Sequence, residues 1–299
     1  EYLIKVGNLS RGAVEMIGDL LNEDSGFYLS FLNSLWAFDI FAKESFHEIT
    51  GGFDQLPRAF HKALPGIIHF NCTVEGIRRQ GSKVHVSYRA PGTLSPATVT
   101  ADYVLVTTSA KATRHMSFIP PLSSSKARAL RSIHYTSASK IALACSERFW
   151  ERDGIQGGHS TTDHPSRFIY YPSHNFPRGL GVVLASYTWT DDAEFFLPLS
   201  DAKCLDVVYQ DLAAIHQVPE EYLRVTCGQY VIHKWQLDTH SLGGFAALTP
   251  YQFVDYSQAL FGHEGRIHFA GEHTAQPHGW IDTSIKAAVR AASNIHHES

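Results

Sequence analysis

The 299-residue sequence predicts a mixed α/β fold with a helical opening segment. Three observations point to it. Apolar residues recur at helical spacing near the start, strand-like stretches rich in β-branched residues follow from His69, and "GRIHFAGE" reads as a buried strand that runs straight into a closing helix.

From Asn8 to about Ala42 the pattern is helical, with Val14, Ile17, Leu20 and Leu21 at a 3.6-residue period and "NEDSG" as a turn before a second apolar stretch. "IIHFNCTVEGIRRQ", "KVHVSYRA" and "TVTADYVLVTTSA" then read as strands, separated by turns at Gly81-Ser82 and Ala90-Pro91-Gly92. The last of them runs into "AKATRHM", a short helical element. A second mixed region spans about Tyr135 to Trp235, with strands "KIALACS", "RFIYYPS" and "GVVLASYTW" and an amphipathic helix from Asp201 to about His216. In the closing helix Ile285, Ala288, Val289 and Ala292 form an apolar stripe, and Asp282, Thr283 or Ser284 is positioned to cap its start. A helix start presents unpaired N–H groups and positive partial charge, which suits an anion or an electron-rich ring.

Composition bounds the function. A formal charge of −4 and a pI near 6.5, with 25 scattered Lys and Arg, supply no basic surface for nucleic acid. The longest apolar runs, Val182 to Ala185 and Ile141 to Cys145, fall far short of the roughly 20 residues of a membrane helix. The start, "EYLIKVGNLS", has neither an initiator Met nor a signal-peptide profile, so the chain is expected to begin inside something longer. Four cysteines without a CxxC, and 18 histidines without HExxH or Cys/His ligand spacing, lead to an expectation of no metal. Asn8 and Asn71 lie in sequons, which are glycosylated only in a secretory compartment.

The tail "RIHFAGEHTAQPHGWIDTSIKAAVRAA" resembles the C-terminal flavin-contacting segment of the FAD-dependent amine oxidases, where a strand ending in Gly-Glu is followed by Gly-Trp and a helix. "GNLSRGAVEMIGDLLNEDSGFY", "EITGGFDQLPRA", "ALRSIHYTSASKI", "STTDHPSRFIYYP" and "SYTWTDDAEFF" resemble the secreted vertebrate L-amino-acid oxidases of venom and interleukin-4-induced type. The similarity runs along essentially the whole chain and covers roughly the last three fifths of such an enzyme. It implies part of a two-lobed FAD-binding amine-oxidase fold with a mixed-sheet substrate domain. The implied divisions are a helical segment 1–44, part of the FAD domain 45–133, the substrate domain 134–240, and a connection plus the C-terminal part of the FAD domain 241–299.

Carried over by position, Glu272 resembles the acid on a cofactor hydroxyl, while Gly279, Trp280, Ile281, Asp282, Thr283 and Ser284 resemble the loop and helix start beside the flavin ring. Trp235 resembles a tryptophan on the dimethylbenzene edge, and Val74 a valine on the adenine side. On the substrate side, Tyr187 would donate a hydrogen bond to the carboxylate, with Tyr170, Gly279 and Trp280 around the amino group. Lys140 resembles the catalytic lysine that holds a water near flavin N5. The resemblance also implies a Cys145–Cys227 disulfide, leaving Cys72 and Cys204 as free thiols, and a secretory or lysosomal setting.

The departures matter equally. No GxGxxG phosphate cradle is present; "GLGVVL" ends in Leu184 and reads as a structural strand. The family's carboxylate-binding arginine has no counterpart here. Ala37 stands where venom enzymes carry a histidine, Thr136 replaces an arginine, and Trp189 adds bulk beside Tyr187. The expected function is oxidative deamination of large apolar or aromatic L-amino acids by oxygen. An accompanying N-terminal chain or segment is expected to complete the site, and a homodimer stays open. The alternatives are a monoamine or polyamine oxidase, or a non-catalytic secreted glycoprotein or fragment with an oxidase-like fold.

Overall fold

A computed structural model describes residues 1–41 and 47–298, and the side chains of 37–41 and Arg178 lie outside the described set. The expected boundary at 44/45 and the side chain of Ala37 therefore fall outside it. The chain divides into two compact units, one formed by Glu1–Leu29 with His134–Ala247 and the other by Ser30–Ile133 with Leu248–Ser299.

The first unit is built on a five-stranded antiparallel sheet in the order Gln229–Lys234, Ala138–Cys145, Gly181–Trp189, Phe168–Tyr170, His159–Thr161. Strand Ala138–Cys145 alternates buried and half-buried positions, as the period of two requires when one face meets the core. Ile141, Leu143, Ile169 and Val183 point into a cluster with Trp150, Phe196 and Leu212. The helix Asp201–His216 supplies Val208 and Leu212 to that cluster, and Ser200 caps its start by accepting from Lys203 N–H. Gly181 is glycine for a steric reason: a Cβ there would sit 2.6 Å from Cη2 of Trp150. Cys145 and Cys227 form a disulfide that ties the end of strand Ala138–Cys145 to the segment just before Gln229–Lys234. Cys204 is a buried free thiol.

The second unit holds a mixed four-stranded sheet, Ala97–Ala101, Lys83–Arg89, Thr73–Gln80, Ser117–Ile119, in which only the last pair is parallel. Gln80 pairs with Lys83, so Gly81 and Ser82 form a two-residue hairpin loop, and Gly81 takes φ +59°. A separate parallel pair joins Val104–Val106 to Ile267–Phe269. The cluster Ile77, Val84, Val106, Ile267 and Phe269 packs these strands together.

The closing helix runs from Ile281 to Glu298, and its buried face differs from the expected stripe. Thr283, Ala287 and Ala291 are buried, at i, i+4, i+8, whereas Ile285 and Val289 are 48% and 61% exposed. Ala287 and Ala291 meet Ala270 at the end of the buried strand. Methyl-sized side chains let the helix approach that backbone closely, which branched side chains on the same face would prevent. The capping expectation is also corrected. Asp282, Thr283 and Ser284 lie inside the first turn, and the Trp280 carbonyl accepts the first helical bond from Ser284 N–H. The structure adds helices Gln55–Ala63, Ser124–Ser132, Glu220–Thr226 and Gln252–Phe261 that the sequence reading did not pick out.

Candidate functional site

The candidate residues fall into two groups, one in each unit. In the first unit Lys140 and Tyr187 are direct partners in the antiparallel ladder, so both side chains emerge on the same face. The Lys140 Nζ lies 4.4 Å from the centroid of the Tyr187 ring. That cation–π contact is its neighbour in a largely desolvated place, and burial lowers the Lys140 pKa from its ordinary value. Burial likewise pushes the Tyr187 phenol up, keeping it a neutral hydrogen-bond donor across physiological pH. Tyr170 stands 6.3 Å from Tyr187, ring centroid to centroid, because Leu184 pairs with Tyr170 on the next ladder. Burial, with Tyr187 adding to it, raises the Tyr170 pKa too. Trp189 packs edge-on to Tyr187 at 5.3 Å and to Phe245 at 6.0 Å.

On the other side of Lys140 the ladder partner is His233, whose ring is 4.1 Å from the Trp235 ring. Beside it, Gln236 has both amide atoms buried without a hydrogen-bond partner. A buried amide with nothing bonded to it costs stability, which a polar ligand would recover. Sequence reasoning missed Gln236; its neighbour Trp235 was the nearest signal. Thr136 is buried in the short pair Tyr135–Thr136 with Phe245–Ala246.

In the second unit the strand Ile267–Phe269 delivers Ala270 and Gly271 to a one-turn helix, Glu272–Thr274. Gly271 adopts φ +131° and Gly279 φ +81°, conformations that disfavour a side chain. The Glu272 carboxylate accepts from the Gly279 N–H at 3.1 Å and so closes the loop that places Trp280 at the helix start. Arg290 reaches back from the third turn to donate to the carbonyls of Phe269 and Thr274, at 2.9 Å each. Two imidazoles are enclosed under this loop. Burial drives His273 down to about 3 and His278 down to about 4, so both are neutral at physiological pH. Ile281 and Asp282 are exposed, Thr283 is buried and Ser284 is half-buried. Val74 is half-buried on the first strand of the mixed sheet and packs against the cluster containing Ile267 and Phe269, the residues that feed the loop.

These features fit a flavin in kind. The second unit offers a helix start preceded by a loop in which Gly271 and Gly279 take positive φ, and the first unit offers an unpartnered buried amide beside Trp235. The glycine-rich cradle for a diphosphate is not among the 299 residues. Asn8 and Asn71 are both exposed, at φ +53° and +56°.

Residues 1–296 match the flavin containing amine oxidoreductases, and the chain belongs to that family. It is 53% identical to an L-amino-acid oxidase of Echis ocellatus, over 100% of this chain and 59% of that protein. An L-amino-acid oxidase of Bungarus fasciatus is also 53% identical, again over the whole chain and 58% of its own length. The chain thus spans about three fifths of the relatives it matches. Among solved structures, a triple variant of putrescine oxidase superposes with a TM-score of 0.72 at 19% identity, covering 83% of this chain and 53% of that one. Cyclohexylamine oxidase from Brevibacterium oxydans gives 0.68 at 17% identity, with the same coverage. The structural likeness establishes the fold. The L-amino-acid oxidases are the relatives close in sequence.

Proposed function

We propose that this chain supplies the substrate-binding and flavin-ring portions of an FAD-dependent L-amino-acid oxidase acting on large apolar or aromatic substrates. The observation that carries this reading is the Lys140–Tyr187 pair, a half-buried amine held 4.4 Å from the ring centroid of a half-buried tyrosine on paired strands. When bound, FAD supplies the oxidation, accepting a hydride from the substrate α-carbon and passing the electrons to oxygen, with hydrogen peroxide as product.

The protein's residues orient and polarise. Tyr187 donates its phenolic proton in a hydrogen bond to the substrate carboxylate, and Tyr170 presents an aromatic wall to the amino group. Lys140, whose pKa burial lowers from its ordinary value, holds a water and moves a proton at Nζ. Glu272 fixes the Gly279 loop and binds a cofactor hydroxyl. The start of the closing helix, Ile281 to Ser284, would face the electron-rich ring, with Trp235 at its dimethylbenzene edge and Val74 on the adenine side of the cofactor.

The first unit is the substrate domain and the second the cofactor domain, and a further segment supplies the glycine-rich phosphate cradle. Two exposed sequons and the disulfide support a secretory or lysosomal setting. No helix among the described residues is long and apolar enough to cross a membrane.

The test is the visible spectrum of the purified protein after incubation with FAD and dialysis, with peroxide and 2-oxo acid assayed on L-phenylalanine and on phenethylamine. Retained flavin with turnover of the amino acid alone supports the proposal. Equal turnover of the amine would assign the site to an amine oxidase, and a protein that stays colourless with the cradle-bearing segment restored would remove the cofactor role.

A further inference from the structure

Away from these groups, the second unit gathers His263, His268 and Glu298 at the end of the closing helix. We propose that these three side chains form a binding site for one divalent cation of the zinc class. Their nitrogen, nitrogen and oxygen ligand atoms all lie within 4.8 Å of one another. His268 Nε2 is 3.4 Å from one carboxylate oxygen of Glu298, and His263 Nε2 is 3.6 Å from the other. Zinc bonds of about 2.0–2.1 Å at tetrahedral angles separate ligand atoms by roughly 3.3 Å, close to both separations. The two imidazole rings stack at 4.8 Å with 7° between their planes.

Each histidine offers a lone pair in the right place. The Nδ1 of His263 lies 3.0 Å from the carbonyl oxygen of Gly265, which can only accept, so the proton of the neutral ring sits on Nδ1 and Nε2 is free to ligate. His268 is 1% exposed, and its Nε2 is buried with no hydrogen-bond partner. A cation satisfies the orphaned nitrogen and the carboxylate together.

The surroundings hold the donors in place. Tyr103 donates its phenolic proton to the backbone carbonyl of Glu298 at 2.8 Å, fixing the helix end, and the Arg266 guanidinium covers the Tyr103 ring at 4.8 Å. Arg290, whose charge would oppose a cation nearby, is turned toward the carbonyls of Thr274 and Phe269 and over the Phe261 ring. His268 is the rigid anchor in strand Ile267–Phe269, while the half-exposed His263 and Glu298 have room to close on the ion. An occupied site would clasp the last turn of the closing helix to the strand Ile267–Phe269, which leads into the loop of Glu272. The open positions and N₂O donor set suit zinc, with water completing the tetrahedron.

The experiment is a titration of the full, untagged, chelator-stripped chain with zinc chloride against a chromophoric competitor, repeated with cobalt(II) to read the visible bands of a four-coordinate centre. His263→Gln and Glu298→Gln are the variants, because both side chains are partly exposed and their replacement spares the core. One equivalent of zinc is expected, with affinity lowered at least about 10-fold in each variant, and cobalt bands that disappear in both. The absence of a stoichiometric site, or equal affinity in wild type and both variants, overturns the proposal. Flavin retention, read on the same samples, is separate from either result.

Discussion

Lys140 and Tyr187 face one another across adjacent antiparallel strands, with the amine 4.4 Å from the ring centroid and both groups largely removed from water. Neither residue has special surroundings along the chain. Their chemistry arises from the register that pairs them.

Replacing Lys140 by Met is expected to lower kcat on L-phenylalanine about 100-fold while bound flavin, read from its absorbance, is unchanged. Burial lowers the Lys140 pKa, so its neutral form appears at a lower pH than in a free lysine. The wild-type rate therefore rises along a basic limb that the Lys140→Met profile lacks. A profile of unchanged shape and height would remove Lys140 from the proton path.

On the proposed function, Tyr187→Phe removes one hydrogen bond to the substrate carboxylate, a charged acceptor. That loss, about 1.5–3 kcal/mol, raises KM for amino acids roughly 10- to 100-fold. Steady-state kinetics at matched ring size separate this from a packing effect, since any turnover of an amine without a carboxylate is expected to keep its KM.

Glu272→Ala releases the Gly279 N–H from its 3.1 Å acceptor and frees the loop before the closing helix. Flavin affinity is expected to fall at least about 10-fold, visible as colour lost on dialysis, if that hydrogen bond is worth the usual 1.5–3 kcal/mol of a charged acceptor. Retention equal to wild type would leave Glu272 with no cofactor role.

Acid stability follows from His278. The ring is stacked on Phe253, with centroids 5.9 Å apart and 8° between planes, and burial lowers its pKa from 6.5 to about 4. Between those values the unfolded chain binds the proton and the folded chain does not, so stability falls as pH drops from 6.5 toward 4. His278→Phe is expected to remove up to about 3 kcal/mol of that pH dependence, at roughly 1.4 kcal/mol per pKa unit. Urea midpoints of both proteins at pH 7 and pH 4.5 check it.

The disulfide closes a long loop, with its two cysteines 82 positions apart. Replacing Cys145 and Cys227 together by Ala is expected to cost about 4 kcal/mol on the chain-entropy account, measured by urea unfolding without reductant. A loss under about 1 kcal/mol would show that the surrounding core holds the two strands without it.

Much of the local structure was legible. The helix Asp201–His216, the hairpin loop at Gly81-Ser82 and the strand within "GRIHFAGE" follow from periodicity and turn chemistry, both of which act between near neighbours in sequence. The helix Gln55–Ala63 was hidden by Pro57 within it and by an Asp54 that makes no side-chain cap. Gln229–Lys234 was missed because strand Ala138–Cys145 gives it its place, through a ladder partner about 90 residues away in the chain. Periodicity alone cannot choose between two faces of the closing helix when one carries Ile285 and Val289 and the other Ala287 and Ala291. Close approach to Ala270 decided it for the alanines.

By itself the sequence determined the family resemblance, the element types and the candidate residues, since these rest on patterns that repeat over a few positions. Tertiary structure decided which of those residues meet. Ladder register put Lys140 beside Tyr187, and the return of the closing helix carried Glu298 to His263 and His268, five positions apart in the chain and about thirty away from it. Contacts of that kind depend on where the backbone turns back on itself, a property of the folded core that short-range pattern does not encode.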